Sequence, residues 1–299
     1  MLTVWYLLSN TAANLAARGI ATGFAFLDRE AGFEIGETST MIYSAADTYL
    51  RALWVGLANT FRVALIGVIL ATFLGVLLGL SRLSPNWLLA KIAALYVEVV
   101  RNVPLIVQLF FWYALISENL PGPRDALNPL PGVFLSNRGI FFPLPGSTPE
   151  LSGFNFSGGG SLTPEFATLL VGLVTYTAAF IAEIVRAGIL SVQRGQFEAA
   201  ASLGLTRRAA MRYIVLPQAL RMIVPPMTSQ FLNLTKNSSL AVAIGYPDLV
   251  SIANTTMNQT GQAIEGIAVI MAVYLSISLS ISFLMNWYNR RFALKGMRS

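Results

Sequence analysis

The 299-residue chain contains neither cysteine nor histidine. Without thiols or imidazoles it can form no disulfide, no thiolate or imidazole metal site and no nucleophilic centre that depends on a histidine base. Charge is scarce as well. Only 11% of the residues are charged, against about a quarter in an ordinary soluble domain. No Gly-x-x-x-x-Gly-Lys-Ser/Thr segment occurs, so the chain has no phosphate loop of that kind with which to hold ATP. The formal net charge of +6 raises the question of nucleic acid. The basic residues, however, cluster beside apolar runs rather than along a soluble face, which fits lipid headgroups and not nucleic acid.

What is present is hydrophobic sequence, 55% of the chain, arranged in runs of the length a membrane helix needs, about 17–25 residues. The clearest covers residues 63–80 and extends back through 53–60. A second covers 88–116, with Pro104 as a kink and Arg101 and Asn102 inside it. A third covers 167–190. Residues 213–234 form a weaker, bent span carrying Pro217, Pro225 and Pro226. The fifth, 266–287, has Tyr274 at its middle and ends on the interfacial aromatics Trp287 and Tyr288. The expected fold is all-α: a polytopic integral membrane protein with five core spans in one transmembrane domain.

Short loops rich in Lys and Arg favour the cytoplasmic side. Arg290, Arg291, Lys295 and Arg298 follow the fifth span with no acid among them, and Arg82 and Lys91 follow the first. Between the third and fourth, Arg194, Arg207, Arg208 and Arg212 stand against Glu198 alone. Residues 28–47 are acidic, and residues 118–165 carry four acids against Arg124 and Arg138. Five alternating spans satisfy every loop when the N-terminal segment is outside and the C-terminus is cytoplasmic. The chain then divides into an outer or interfacial segment (1–50), a transmembrane domain (51–290) with an outer insert (118–165) and a polar inner loop (191–213), and a basic tail (291–299). The first residues are too interrupted by Asn10 and Asn14 to span, lack the basic start of a signal peptide, and read as an interfacial helix. The insert, rich in proline and closing on Ser157-Gly158-Gly159-Gly160-Ser161, reads as an irregular, partly flexible linker or as a docking rim for an external partner.

Two polar features interrupt the apolar text. The first is the loop from Glu198 through Ala199, Ala200 and Gly204 to Pro217. A helix over 194–203, a turn at Gly204 and a second helix over 206–213 predict a short amphipathic hairpin at the membrane surface, able to rest on headgroups or to sit in another protein's groove. The second is intramembrane charge, which costs roughly 2.5–3.5 kcal/mol at mid-bilayer and must be paired or wet. Glu98 and Arg101 lie three apart, as do Glu183 and Arg186, so each pair can share a helix face. They are expected either to fix helix packing as ion pairs or to meet a solute in transit. Asn233, Lys236, Asn237 and Ser238, at the outer end of the fourth span, are candidates for a substrate carboxylate or an outer gate.

The spacing Glu198-Ala199-Ala200, three residues, Gly204, nine residues, Ile214, one residue, Leu216-Pro217 resembles the loop that marks permease subunits of binding-protein-dependent ABC importers. Further stretches narrow the likeness: residues 59–63 (NTFRV), 96–105 (YVEVVRNVPL), 176–189 (YTAAFIAEIVRAGI) and 233–240 (NLTKNSSL). Together they are similar to the polar amino acid permease family, and to its general L-amino acid and glutamate/aspartate subunits in particular. The resemblance runs from about residue 15 onward. Relatives in that group carry extra hydrophobic segments before the first span and in the outer insert, and this chain is compact at both places.

That resemblance implies a type I importer core in a multi-pass protein of the bacterial inner membrane. It also implies partners: two ATP-binding subunits that hold ATP and Mg, a second, related permease, and a periplasmic amino-acid-binding protein. Residues 198–204 become the coupling helix docked in an ATPase cleft, with Glu198 and Arg208 as charge partners and Gly204 as a geometric requirement. No cofactor, metal or catalytic set is expected in the chain itself. An ion-coupled secondary amino acid transporter is the alternative, and it needs neither the hairpin nor an ATPase.

Overall fold

The structure is a computed structural model that describes residues 2–17, 19 and 22–288. The basic tail from which a cytoplasmic C-terminus was read lies outside the described residues. A first helix, α1 (Leu2–Ala17), precedes an extended strap, residues 22–48, whose regular structure is one 3-10 turn, Ala25–Asp28. Then come α2 (Tyr49–Ser81), α3 (Trp87–Asn102), α4 (Leu105–Ser117), a β-rich insert, α5 (Pro164–Leu190), α6 (Arg194–Ser202), α7 (Arg207–Ala210), α8 (Leu216–Asn237), α9 (Leu249–Thr260) and α10 (Ala263–Tyr288).

Helices α2, α5 and α10 are each long and apolar enough to cross a membrane, and α3 with α4 qualifies as a pair bent by 105°. Pro104 makes the break. It holds Val103 in the extended region at ψ 125° and ends α3 there. Gln108 then caps the freed carbonyls, its side-chain amide donating to Val100 O at 2.9 Å and Val103 O at 3.0 Å. Arg101 and Asn102 therefore end α3 at the elbow rather than lying inside a continuous helix.

Packing gives the direction of each pass. Arg62 lies over Phe166 near the start of α5, and Arg82 meets Glu183 near its end, so α2 and α5 run parallel. Something must climb back between them. Val97 packs with Ala179 and Ala182, and Leu109 reaches Gly172, so α3 and α4 together make that return along α5. Helix α8 runs back again, from Ala219 and Ile223 beside Gly188 to Leu234 beside Gly67. It makes this pass without the composition of a lipid-facing span, because Gln218, Arg221, Gln230, Asn233 and Lys236 break its apolarity. With α10, the described residues hold five helical runs where the sequence predicts five spans, and three of these, or four with the bent pair, have the length and composition to cross a membrane.

The α2–α5 contact is the most extensive in the bundle. A Cβ at Gly75 would lie 2.6 Å from Ile181, and one at Gly79 2.8 Å from Ala182 O. These two glycines form the small-xxx-small pair read from the sequence, and α5 is what they meet.

The insert departs from the expectation of an irregular linker and from an all-α chain. It forms β1 (Leu127–Leu130), β2 (Val133–Ser136), β3 (Gly139–Phe142), β4 (Glu150–Ser152), β5 (Asn155–Ser157) and β6 (Gly160–Leu162). The sheet order is β1-β2-β3-β6, with β4-β5 as a separate hairpin. Phe156 of the hairpin stacks on Phe134 at 4.5 Å and packs on Phe141 at 4.9 Å, joining the two pieces. The Pro and Gly residues that resemble a linker are hairpin punctuation: Gly132 and Gly153 take φ of 77° and 65° in the turns.

At the other end of the α8–α9 connection, Asp248 caps α9, accepting from Ser251 N at 2.8 Å. It is fully buried, and its second carboxylate oxygen has no hydrogen-bond partner among the described residues. Burial, only partly offset by hydrogen bonds, pushes the carboxyl up to about 7. A raised carboxyl pKa favours the fold most below the unfolded value, near 4, and weakens it as pH rises through about 7. Asp248→Asn keeps a capping oxygen without the charge. In detergent it should raise stability at pH 8 by a few kcal/mol, with the gain shrinking as pH falls toward 4; a gain independent of pH would contradict this account. Gly75→Val should lower the unfolding free energy of the same preparation by about 1–3 kcal/mol through overpacking against Ile181, seen as a lower thermal midpoint than wild type.

Candidate functional site

The polar hairpin is built as a rigid knob. Helix α6 ends in a glycine cap: Gly204 N donates to Ala201 O at 2.9 Å and Leu205 N to Ala200 O at 3.0 Å, with Gly204 at φ 75°. Thr206 caps the next turn, accepting from Ala209 N at 3.3 Å. The second helix does not stop at Tyr213 as the sequence predicts. Helix α7 passes through a widened π turn, Met211–Val215, into α8. Pro217 lacks an N–H and its ring crowds the carbonyl of Tyr213, and the wider turn before it relieves both.

One face of the knob holds it to the bundle, since Val192, Ala200, Ala210 and Val215 are buried and Phe197 packs on the main core. The other face is open. Glu198, Ala199, Gly204, Arg208 and Pro217 are exposed, so of the loop residues singled out only Ala200 is internal. Sequence reasoning missed Leu203, 79% exposed, and Leu205, which flank Gly204 with apolar side chains in the open. Nothing in the text marks them, because exposure depends on which way the knob faces.

The intramembrane charges assemble differently from the predicted two pairs. Glu183 accepts from Arg186 at 2.5 Å and also from Arg82, which arrives from the end of α2. The triad joins two helices, and Arg82 is the member that spacing could not find, being 101 residues away. Glu98 and Arg101 do not pair: both are exposed on α3, and Arg101 instead lies over Phe180, 5.0 Å from its ring centre. Three residues of separation leave a pair free to diverge when an aromatic ring offers the guanidinium another partner. Among the described residues Glu98 makes no ion pair. On α8, Asn233 and Lys236 are exposed, Asn237 is half-buried, and Ser238 is buried with its hydroxyl on Thr235 O at 2.8 Å. Ser238 is thus placed as a packing group rather than on an open face.

A second polar centre went unread in the sequence. Glu37 of the strap, 5% exposed, accepts from Arg62 at 2.9 Å and from Thr163 Oγ1 at 2.9 Å. Asn59 donates to Glu37 O at 2.9 Å and to Pro247 O at 3.0 Å. Arg62 is stacked 4.1 Å above Phe166. The strap looked like an acidic loop because nothing local announces a partner 25 residues on.

Among the described residues no group of three or more Asp or Glu could hold a metal ion. The chain is 42% identical to the general L-amino acid transport system permease protein AapQ of Rhizobium johnstonii, over 97% of this chain and 88% of that one. It is 37% identical to the glutamate/glutamine/aspartate/asparagine transport system permease protein BztB of Rhodobacter capsulatus, over 98% and 90%. Both alignments, 355 and 386 positions, are longer than the chain itself, so each relative has residues with no counterpart here. A crystal structure of an amino acid ABC transporter with histidines superposes with a TM-score of 0.61 at 29% identity, covering 81% of this chain and 95% of that one. Residues 68–294, which include the knob, the triad and, in full, the α3–α4 pair, α5, α8 and α10, match a single family. The chain is a permease subunit, and it belongs to the binding-protein-dependent transport system inner membrane components.

Proposed function

We propose that this chain is the permease subunit of an ATP-driven importer that carries L-amino acids across the bacterial inner membrane. The observation that carries the reading is the knob: a capped, rigid hairpin fixed to the bundle by its buried face and presenting Glu198, Leu203, Leu205 and Arg208 outward, in a chain with no phosphate loop of its own. The knob docks in a groove on one ATP-binding partner, which supplies ATP and Mg, and Leu203 and Leu205 fill the groove while the charges set register. Because α7 continues through the π turn into α8, force on the knob passes directly into a membrane helix.

The loop charges favour a cytoplasmic side for the knob, the C-terminus and the end of the bundle that carries the Arg82–Glu183 triad, and an outer side for the strap, insert and α9. Glu98, Arg101, Asn233 and Lys236 are exposed on helices that cross lipid. Such groups need water or a polar partner, which supports a second permease subunit on that side and a substrate path between the two. Along that path Lys236 with Asn233 suits a substrate carboxylate, and Glu98 suits its ammonium. The names of the relatives favour general or acidic L-amino acids, delivered by a periplasmic binding protein.

The test is uptake of labelled glutamate, aspartate and a neutral amino acid into proteoliposomes holding this chain with its ATPase, second permease and binding protein. Uptake is expected to need ATP and the binding protein. Uptake that persists without ATP and collapses with the proton gradient would overturn the reading in favour of an ion-coupled carrier. In the same assay Gly204→Asp, which puts a charged side chain at φ 75° between the two leucines, should lower uptake and stimulated ATP hydrolysis at least tenfold while leaving membrane insertion intact. Wild-type uptake by that variant would rule out a close-fitting knob.

A further inference from the structure

Among the described residues the bundle has two large hydrophobic cores, beside a small cluster around Val97. The larger joins α2 from Val63 onward to α4, α5 and α8. The smaller gathers the strap (Phe26, Ala31, Ile35, Tyr43), the start of α2 (Tyr49, Ala52, Leu53, Val55) and α9 (Leu249, Ile252, Ala253), with Val269, Ile270 and Val273 of α10 against it. Between them lies a polar layer: Asn59, Thr60 and Arg62 of α2, Glu37 of the strap, Ser238 after α8, and Asp248 before α9. Thr60 accepts from Leu249 N at 3.1 Å, and Tyr246 OH reaches Asn59 O at 3.4 Å across the same layer.

On one side this seam is not closely packed. A cavity of about 380 Å³ opens there, walled by the strap from Phe33 to Glu37, by Thr163 and Glu165 at the start of α5, and by Pro247, Ser251 and Thr255 at α9. Helices α5 and α9 hardly touch directly. Helix α2 and the 3-10 segment Ser238–Ile244 pack on both α5 and α9; across the open side the strap is the bridge, and its polar fastening centres on one carboxylate: Glu37 takes Thr163 on the α5 side and Arg62 on α2, while its backbone is tied through Asn59 to Pro247 on the α9 side. Close-packed helices need no such bridge. A gap held by a few polar bonds, with both flanking cores intact, is a place where two bodies can part at modest cost and rejoin in the same register.

We propose that the strap is an outer clamp and Glu37 its fastening, closed in this structure and released when the outer side opens to receive substrate. This rests on the importer reading above and adds which bodies part and what holds them together. Removing Glu37 leaves Arg62 on Phe166 without its carboxylate and Thr163 without its acceptor, so the α5 side is freed while each core stays packed. Glu37 acts by positioning, since nothing requires it to touch substrate.

The experiment uses the complete importer, with Glu37→Cys and Thr163→Cys introduced together. The chain contributes no other cysteine, so within it a short reducible bis-thiosulfonate linker joins only these two. With free thiols the clamp is unfastened, and basal ATP hydrolysis without binding protein should rise several-fold. With the linker in place, uptake should fall at least tenfold and recover on reduction. Glu37→Gln should reproduce the unfastened phenotype, and the swap Glu37→Arg with Arg62→Glu should restore part of the dependence on binding protein. Linked protein that transports as well as wild type would overturn the clamp, as would failure of the two thiols to link in assembled, transport-competent protein. Uptake by the wild-type complex in parallel separates the two readings: if it transports and the linked form does too, the clamp alone is wrong, whereas absence of ATP-dependent uptake in wild type removes the importer reading itself.

Discussion

The parallel contact of α2 on α5 is the constraint from which the rest of the bundle follows. Two parallel neighbours in one chain need a return pass between them, and here that pass is the broken pair α3 and α4, laid along α5. Parallel packing at this distance is possible only because Gly75 and Gly79 let the backbone of α5 into van der Waals contact. Lipid supplies no hydrophobic drive for helices to associate, so shape and polar bonds must do it. The same helix pair is accordingly tied by charge near each end, through Arg62 and Glu37 with Thr163 at one and through Arg82 and Glu183 at the other.

Those ties differ in what they permit. Arg82, Glu183 and Arg186 connect α2 to α5 and nothing else, so they stiffen a unit that moves as one. The Glu37 centre also reaches the strap and Pro247, elements of the second core. A partly buried ion pair contributes little to net stability once desolvation is counted, but breaking one partner away is costly. Such a pair is therefore better suited to fixing which of two arrangements is occupied than to holding the fold together.

Much of this was legible in the sequence, and the portion that was not has a physical pattern. Runs of apolar residues announced α2, α5 and α10 because lipid imposes a length and a composition together. Helix α8 was legible only as a weak span, since Gln218, Arg221, Asn233 and Lys236 interrupt its apolar run and most of them lie on its open face. Gly204 was read correctly as the turn, for a left-handed residue at the end of a helix is a local requirement. The insert was misread because proline and glycine are common to flexible linkers and to tight hairpins, and the difference lies in cross-strand partners such as Phe134 and Phe156. Glu98 with Arg101 failed for the same reason that Arg82 and Glu37 escaped notice: spacing reports what can share a face, while the partner chosen depends on which helix is brought alongside.

The two ends of the molecule are connected by that geometry. The knob leads through the π turn into α8, α8 runs up the side of α5 and α2, and its far end continues through Ser238 into the polar layer that Glu37 fastens. A displacement of the knob therefore reaches the seam through one continuous helix and a short 3-10 segment, without crossing the rigid α2–α5 pair. Pro225 and Pro226 lie midway along α8, where missing N–H donors make bending cheapest. Ala219 and Ile223 before the prolines and Leu234 after them all pack in the larger core, so both halves of α8 bear on the same frame. On this geometry α8 is the element that carries force between the two faces, and the α2–α5 pair is the frame it moves against.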